Sequence, residues 1–393
     1  MPVVSVIIPT YNSAKHLSQA LNSVWSQTYQ DYEIIVVDDG STDGTQDILS
    51  DYGDRIRCLF QPNAGSSVAR NAGAAVAAGR YIAFLDADDR LAPDKLALQV
   101  PVLESHADLA LVASGLNLVD TEGLTLRTER PWLHLPRIDL ERLTFVGLVG
   151  VHGTLLRRSW FDRVGGFDAR LRYCQDMDLW WRVFAAGGSM AWLTAVVGDY
   201  RIHEKNKSQS VLEHHKWRVD LLRQHAASGR LTPTAMGRIP EVIAQLKIAA
   251  AGRLYDLDDS AAAAALLVEA SRLDPRLLDQ DGMGMLDAMV CWQDDPWIRN
   301  RGSVLDTCLA ALPSELVWLA MQAPRFEARY WRRQFYLAVA ERQGSLLRRA
   351  WVAMASRDPS WLANRGSWAL LARSILYPSQ WRQATPLVPE IIR

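Results

Sequence analysis

Cysteine is scarce: of 393 residues only Cys58, Cys174, Cys291 and Cys308 are thiols, scattered with no CxxC pair. That excludes a zinc cluster of ordinary spacing and a disulfide scaffold, and it suits a reducing compartment with the thiols in the core. Net charge is lacking too, with 43 Lys plus Arg against 44 Asp plus Glu for a balance of −1. The whole chain is therefore expected to have no general attraction to nucleic acid, and no nucleic-acid partner is expected. No apolar run approaches the ~18 residues of a membrane span. The opening MPVVSVIIPTYN has neither the basic start nor the cleavable apolar stretch of a signal peptide, so a cytoplasmic protein is expected. A chain of this length supports two domains at the usual ~100–200 residues each.

What is present is a repeated strand-then-helix pattern. Val3 to Pro9 is a continuous β-branched run of the kind found in a strand buried on both faces, followed by helical spacing from about Ser13 to Gln27. The pattern recurs as Glu33–Val37 before a helix near Asp43, as Arg55–Phe60 before Ser66–Ala78, and as Tyr81–Leu85 before Pro93–Leu103. Such units predict an α/β fold with a Rossmann-like, mostly parallel sheet flanked by helices. In open sheets of that kind ligands sit at the carboxyl ends of the strands. The polar clusters fall there: Thr10-Tyr11-Asn12, Asp38-Asp39-Gly40-Ser41 and Asp86-Ala87-Asp88-Asp89. After about residue 210 glycine thins and Ala, Leu, Arg and Trp recur at helical spacing, which predicts a first domain over 1–210 and an all-helical one over 211–393. Within the latter, Leu254 to Leu278 resembles a single tetratricopeptide unit, with an echo from Ala355.

The chemistry is concentrated in the first half. Asp86 and Asp88, one residue apart at a strand end, offer carboxylate oxygens to a hard divalent cation that keeps positions open for phosphate oxygens. Alone they would be a helix-capping turn; with Asp38 and Asp39 ending a second strand they are not alone. Asn63 to Asn71 adds a glycine and two hydroxyls at a helix start, with Arg70 a turn inside it, where a guanidinium reaches a phosphate or a strand-end carboxylate.

VSVIIPTYN at 4–12, VVDDGSTDGT at 36–45, NAGSSVARNAG at 63–73 and YIAFLDADD at 81–89, in this order and near this spacing, resemble family 2 glycosyltransferases over about residues 3–210. The resemblance implies the A-type glycosyltransferase fold of the nucleotide-diphospho-sugar transferases. It also implies a metal-dependent enzyme that inverts the anomeric centre in a single in-line displacement, in cell-surface polysaccharide or glycoconjugate synthesis. Carried over residue by residue, Pro9, Thr10, Tyr11, Asp38, Asp39, Arg70, Asp86, Ala87 and Asp88 would surround the nucleotide sugar, and Asp86 and Asp88 would hold Mn2+ or Mg2+. A UDP-sugar, the commonest donor, is taken as the donor, with a saccharide or lipid-linked acceptor.

Relatives commonly open a helix after a GGFD segment with Glu-Asp; here Gly165-Gly166-Phe167-Asp168 is followed by Gln175-Asp176. One carboxylate is lost, and Asp176 is assigned as the general base, with Asp178 in reserve. Asp199-Tyr200-Arg201-Ile202-His203 resembles the family's strand ending in Tyr-Arg-x-His, making His203 a third metal ligand, and the loop from Glu204 to Ser210, with Lys205 and Lys207, would follow. His152, Trp180 and Trp181 are placed on the acceptor side, with at most one of the two tryptophans able to face it. Residues 325–393 hold twelve Arg, no Lys and four acids, interleaved with Trp331, Trp351, Trp361, Trp368 and Trp381. That composition suits peripheral contact with the inner face of an anionic membrane, or alternatively a helical bundle or a partner surface. The competing function is a non-catalytic nucleotide-sugar binder or scaffold with a degenerate site, a reading favoured by Gln175.

Overall fold

The computed structural model describes residues 1–133, 135–145, 150–203, 206, 210–229, 231–290, 292, 295, 298, 304–340, 344–357, 365–376 and 390–392. The chain divides into two compact units, Met1–Met236 with Pro389–Arg393, and Gly237–Val388. Glu204, Lys205, Lys207, Cys291, Trp361 and Trp381 lie outside the described residues.

The first unit opens with β1 (Val4–Thr10), all seven of whose residues are buried; the β-branched run is covered on both faces, as an interior strand requires. There follow α1 (Leu17–Trp25), β2 (Tyr32–Asp38), α2 (Thr45–Tyr52), β3 (Arg57–Phe60), α3 (Ser66–Val76) and β4 (Tyr81–Phe84). β1 pairs parallel with β2 and β4, and β2 parallel with β3. That parallel half matches the sequence pattern element by element, with helix ends displaced by a few residues.

The remainder is mixed. It comprises β5 (Arg90–Leu91), α4 (Lys95–Ser105), β6 (Leu111–Val119), β7 (Thr125–Glu129), α5 (Leu140–Phe145), β8 (Thr154–Arg157), α6 (Arg158–Arg163), α7 (Gln175–Ala185), β9 (Met190–Arg201) and α8 (Val211–Ala227). β8 is antiparallel to both β4 and β6, while β6 runs parallel to β9. The short β5 lies antiparallel on β9 through Arg90 and Leu91. A sheet that is parallel on one side and mixed on the other was not visible in the strand-then-helix rhythm, because β6, β8 and β9 pair with segments far apart in sequence. Near the end of the chain Ile391–Ile392 pairs antiparallel with Trp192 and Leu193 of β9.

The core of this unit joins β1, β2 and β4 to the inner faces of α1 and α4, through Val6, Ile8, Leu21, Val36, Ala83 and Leu103 among others. Each such aliphatic side chain stabilises the fold by about 1.5–3 kcal/mol when fully buried. α3 lies close against this sheet because of Gly73: a Cβ there would come within 2.5 Å of Ile7 Cγ2 and 3.2 Å of Val37 Cγ2.

The second unit is helical among its described residues, with α10 (Ile239–Asp256) following the short α9 (Pro233–Gly237) at the unit boundary. α11 (Ser260–Leu273), α12 (Asp279–Val290), α13 (Val304–Ala310), α14 (Ala323–Ala340), α15 (Gly344–Arg357) and α16 (Arg365–Leu376) complete it. Asp259 caps α11 by accepting the Ala262 N–H, as an N-cap carboxylate does. Phe335, Leu347, Trp351, Met354 and Leu371 form a core shared by α14, α15 and α16. Among the described residues, no helix is long and apolar enough to cross a membrane.

Candidate active site

Strand ends and helix starts meet at the carboxyl edge of the parallel half. β1 leads into Thr10, Tyr11 and Asn12, and Asn12, at φ 49°, ties two loops together. Its N–H donates to Ser41 Oγ at 2.9 Å and its Oδ1 accepts the Thr42 N–H at 2.8 Å. Pro9 is buried in the strand, Thr10 Oγ1 is buried with no hydrogen-bond partner, and Tyr11 is 49% exposed. A small polar group is thus held at the floor with an aromatic ring at the rim.

The two carboxylates after β2 organise the loops around them. Asp38 accepts the Ser41 N–H at 3.0 Å on one oxygen and Gln46 Nε2 at 2.9 Å on the other. Asp39 accepts Gln61 Nε2 at 2.6 Å and the Ala64 N–H at 2.9 Å on Oδ1, and the Gly65 N–H at 2.7 Å on Oδ2. The Asp39 carboxylate therefore fastens the loop that starts α3. Gly40 is required directly after Asp39: its φ is +79° and a Cβ would lie 2.9 Å from the Asn63 N.

α3 delivers Arg70, which is buried. Its Nη2 donates to Asp86 Oδ1 at 2.5 Å and its Nη1 reaches Gln175 Oε1 at 3.5 Å, while Nε is buried with no hydrogen-bond partner. The next residue of α3, Asn71, clamps the GGFD segment, donating to Phe167 O at 2.8 Å and accepting the Phe167 N–H at 2.9 Å. That clamp brings the start of α7 to the site. Gln175, where the family resemblance implies Glu, accepts from Ser66 Oγ at 3.4 Å and donates to Leu171 O and Arg172 O, both at 3.1 Å.

Next along α7, Asp176 is half-buried. Burial pushes its carboxyl above the usual range, Asp86 adds to that, and the Met177 N–H and Arg70 oppose it. Asp178 has different surroundings: Arg182 donates to its Oδ2 at 2.5 and 2.8 Å, and His225 Nε2 lies 3.1 Å from its Oδ1. Burial works against its charge, but the His225 and Arg182 contacts outweigh burial and hold it below the usual range. Both of its oxygens are engaged in structure, whereas Asp176 Oδ1 accepts the backbone N–H of Met177 at 2.8 Å. Trp180 and Trp181 are each 1% exposed, and Trp181 Nε1 donates to Leu143 O at 3.2 Å. Both are core residues, which corrects their placement on the acceptor side: neither offers a ring face to a sugar.

The turn after β4 is the electrostatic centre. Ala87 is buried under it, and the expected ligand set divides in two. Asp88 Oδ2 lies 2.8 Å from His203 Nε2, whereas ligand atoms of Asp86, Asp89 and His152 lie within 4.8 Å of one another. Among the described residues that is the group of three placed to hold a cation. Asp89 and His152 are both buried, with 3.5 Å between Asp89 Oδ2 and His152 Nδ1. Burial, with Asp88 and Asp86 beside it, holds Asp89 well above the usual carboxylate range, and burial pulls His152 down to about 4. His152 is thus neutral, the form that ligates metals.

Three contributors carried no assignment from sequence. Asp89 was legible as the fourth residue of DADD but not its inward direction. Arg201, 1% exposed, donates its backbone N–H to Asp89 Oδ1 at 2.8 Å and its Nε to Asp88 O at 2.9 Å, locking the acidic turn to β9; its place at the Tyr-Arg-x-His strand end was the available signal. His16, before α1, stacks on His203 with ring centroids 6.2 Å apart, and nothing in PTYNSAKHL marks that contact.

A sheet with a parallel half ending in acidic turns, into which two helix starts deliver an arginine and a carboxylate, is the A-type glycosyltransferase fold. The chain belongs to glycosyl transferase family 2, whose model matches residues 5–165. It is 36% identical over 216 residues to an uncharacterized glycosyltransferase of Rickettsia prowazekii, covering 54% of this chain and 67% of that protein. Against the putative teichuronic acid biosynthesis glycosyltransferase TuaG of Bacillus subtilis it is 31% identical over 226 residues, 56% of this chain and 84% of TuaG. Other relatives are longer: the match spans 36% of the length of a Rickettsia conorii glycosyltransferase at 33% identity, and 54% of this chain. Among solved structures, S. aureus TarS 1-349 in complex with UDP-GlcNAc is similar in fold, with a TM-score of 0.52 at 17% identity over 82% of this chain and 92% of that one.

Proposed function

We propose that the chain is an inverting glycosyltransferase that moves a sugar from a nucleotide-diphosphate donor to an acceptor hydroxyl, in polysaccharide or glycoconjugate synthesis. The observation that carries this reading is the meeting of Arg70, Asp86 and the start of α7, with Arg70 2.5 Å from Asp86 and Asp176 sensing both charges. Arg70 supplies positive charge for the diphosphate, Tyr11 a surface for the base, and Asp176 a base for the acceptor. As the acceptor hydroxyl loses its proton to the Asp176 carboxylate, its oxygen attacks the anomeric carbon. The bond from that carbon to the diphosphate oxygen breaks, and the electron pair leaves with the nucleoside diphosphate. A weakly nucleophilic sugar hydroxyl needs such a base, while the leaving group needs charge neutralised.

The residues at the acidic turn fit a divalent cation. Asp89 Oδ2 and His152 Nε2 are buried with no hydrogen-bond partner, a state that is costly unless something else binds there. Bound beside Asp86, the ion would offset charge on the departing diphosphate. We assign it to Asp86, Asp89 and His152, with Asp88 and His203 as the adjoining pair; an imidazole among the donors favours Mn2+ over Mg2+. A UDP-sugar is the donor proposed, in line with the similar TarS fragment solved with UDP and with UDP-GlcNAc. We further propose that the helical region from 211 onward presents the saccharide or lipid-linked acceptor. Its Arg- and Trp-bearing helices would touch the inner face of the membrane from the cytoplasm.

A panel of nucleotide sugars, each with Mn2+ or with chelator, tests the central reading through melting temperature and release of free nucleoside diphosphate. A metal-dependent rise of a few degrees for one donor is expected at ligand ~100 times its dissociation constant, with slow nucleotide release. Cooperative melting that no donor shifts, with no release, would favour the scaffold reading prompted by Gln175.

A further inference from the structure

Lys95 at the start of α4 is 0% exposed, and among the described residues no carboxylate forms an ion pair with it. Its Nζ donates to Gln99 Oε1 at 2.6 Å and to Thr154 O at 3.0 Å. Gln99, equally buried, donates through Nε2 to Gly153 O and to Ser114 Oγ, both at 3.0 Å. The two side chains therefore hold consecutive carbonyls of the turn that carries His152. The same turn is closed on itself by the Gly153 N–H on Gly150 O at 2.9 Å and by Thr154 Oγ1 on Val151 O at 2.7 Å. His152 stacks on Tyr200 with ring centroids 5.3 Å apart and has Nδ1 3.5 Å from Asp89 Oδ2.

A buried ammonium without a counter-charge is costly to folding, and here burial lowers the Lys95 pKa to about 7. A methionine of similar length would remove the buried charge, but with it the donor to Gln99 Oε1 and Thr154 O. What lysine and glutamine supply, and apolar residues cannot, is directional donors to Gly153 O and Thr154 O.

We propose that Lys95 and Gln99 are positioning residues, a buried brace that fixes the Gly150–Thr154 turn and thereby aims the His152 imidazole at Asp86 and Asp89. The consequence for metal affinity rests on the reading of Asp86, Asp89 and His152 as the cation site; the placement of the ring does not. Outer partners of this kind typically change metal affinity ~10–100-fold when removed.

The test uses the full chain as wild type, Lys95→Met, Gln99→Leu and His152→Ala. Without metal, the side-chain NMR resonances of His152, identified by their loss in His152→Ala, report the brace directly. They are expected to move in both Lys95→Met and Gln99→Leu while melting stays cooperative. Unmoved His152 resonances in both variants would overturn the brace. Binding of Mn2+ alone, followed by the electron paramagnetic resonance of the free ion, is then expected to weaken ~10–100-fold in both variants. Wild-type Mn2+ affinity in both variants, with affinity lost in His152→Ala, would overturn the link from brace to metal. Wild type that fails to bind Mn2+, or His152→Ala that binds as wild type does, would overturn the cation reading itself, with the NMR result still deciding the brace.

Discussion

Two aspartates two residues apart on α7 have opposite environments, and the difference separates chemistry from structure. Asp176→Asn is expected to lower turnover by ~10²–10⁴-fold with donor affinity little changed, because the base acts only as the acceptor hydroxyl reacts; steady-state rates beside donor titrations check this. The carboxyl must be ionised to accept the proton, and burial raises its pKa, so the acid limb of the rate profile should lie above the range of an exposed aspartate. Activity is lost as pH falls through that value. Asp178→Asn instead removes a charge bound by Arg182 and His225, and should lower the melting midpoint by an amount equivalent to about 1–3 kcal/mol. The sequence showed both as carboxylates at a helix start. What it did not show is that α8 supplies His225 against one of them, since that contact joins segments 47 positions apart.

At the scale of elements, the helix that delivers Arg70 is held by how closely it approaches the sheet. Gly73→Ala would place a Cβ 2.5 Å from Ile7 Cγ2, on a strand buried throughout. Either α3 lifts or β1 shifts, at a cost of about 1–3 kcal/mol, and because Arg70 and Asn71 ride on the same helix, donor binding should weaken with stability. Calorimetric melting and donor titration of the one variant check both halves; a stable protein with normal donor affinity would count against the close-packing argument. The four strands β1 to β4 and the helices between them were legible, since each reports itself through local periodicity. β5 and β7 were not, being short strands whose existence depends on β9 and β6 as partners.

For the whole molecule, the near-zero net charge of −1 conceals a basic end, with twelve Arg against four acids over 325–393. On α15, Arg348, Arg349 and Val352 are exposed, while Trp351 is core. If these helices meet an anionic surface, the full chain should sediment with phosphatidylglycerol vesicles at low salt, be released as salt rises, and bind more weakly as Arg348→Glu/Arg349→Glu. Equal partition to neutral phosphatidylcholine vesicles, or none to either, would remove the membrane proposal.

The sequence alone determined the family, the α/β character of the first half, the helical character of the second and the acidic strand ends, because these are written in local periodicity and in motifs a few residues long. Only the tertiary structure decided which carboxylates face one another. It placed Asp89 and His152 together, paired Asp88 with His203, engaged Asp178 with Arg182 and His225, buried both tryptophans of α7, and put Lys95 beneath the site. Each of those outcomes depends on which face of a strand or helix a neighbour covers. That neighbour is set by long-range pairing and by the cost of burying an unsatisfied charge, neither of which appears in the spacing of residues along the chain.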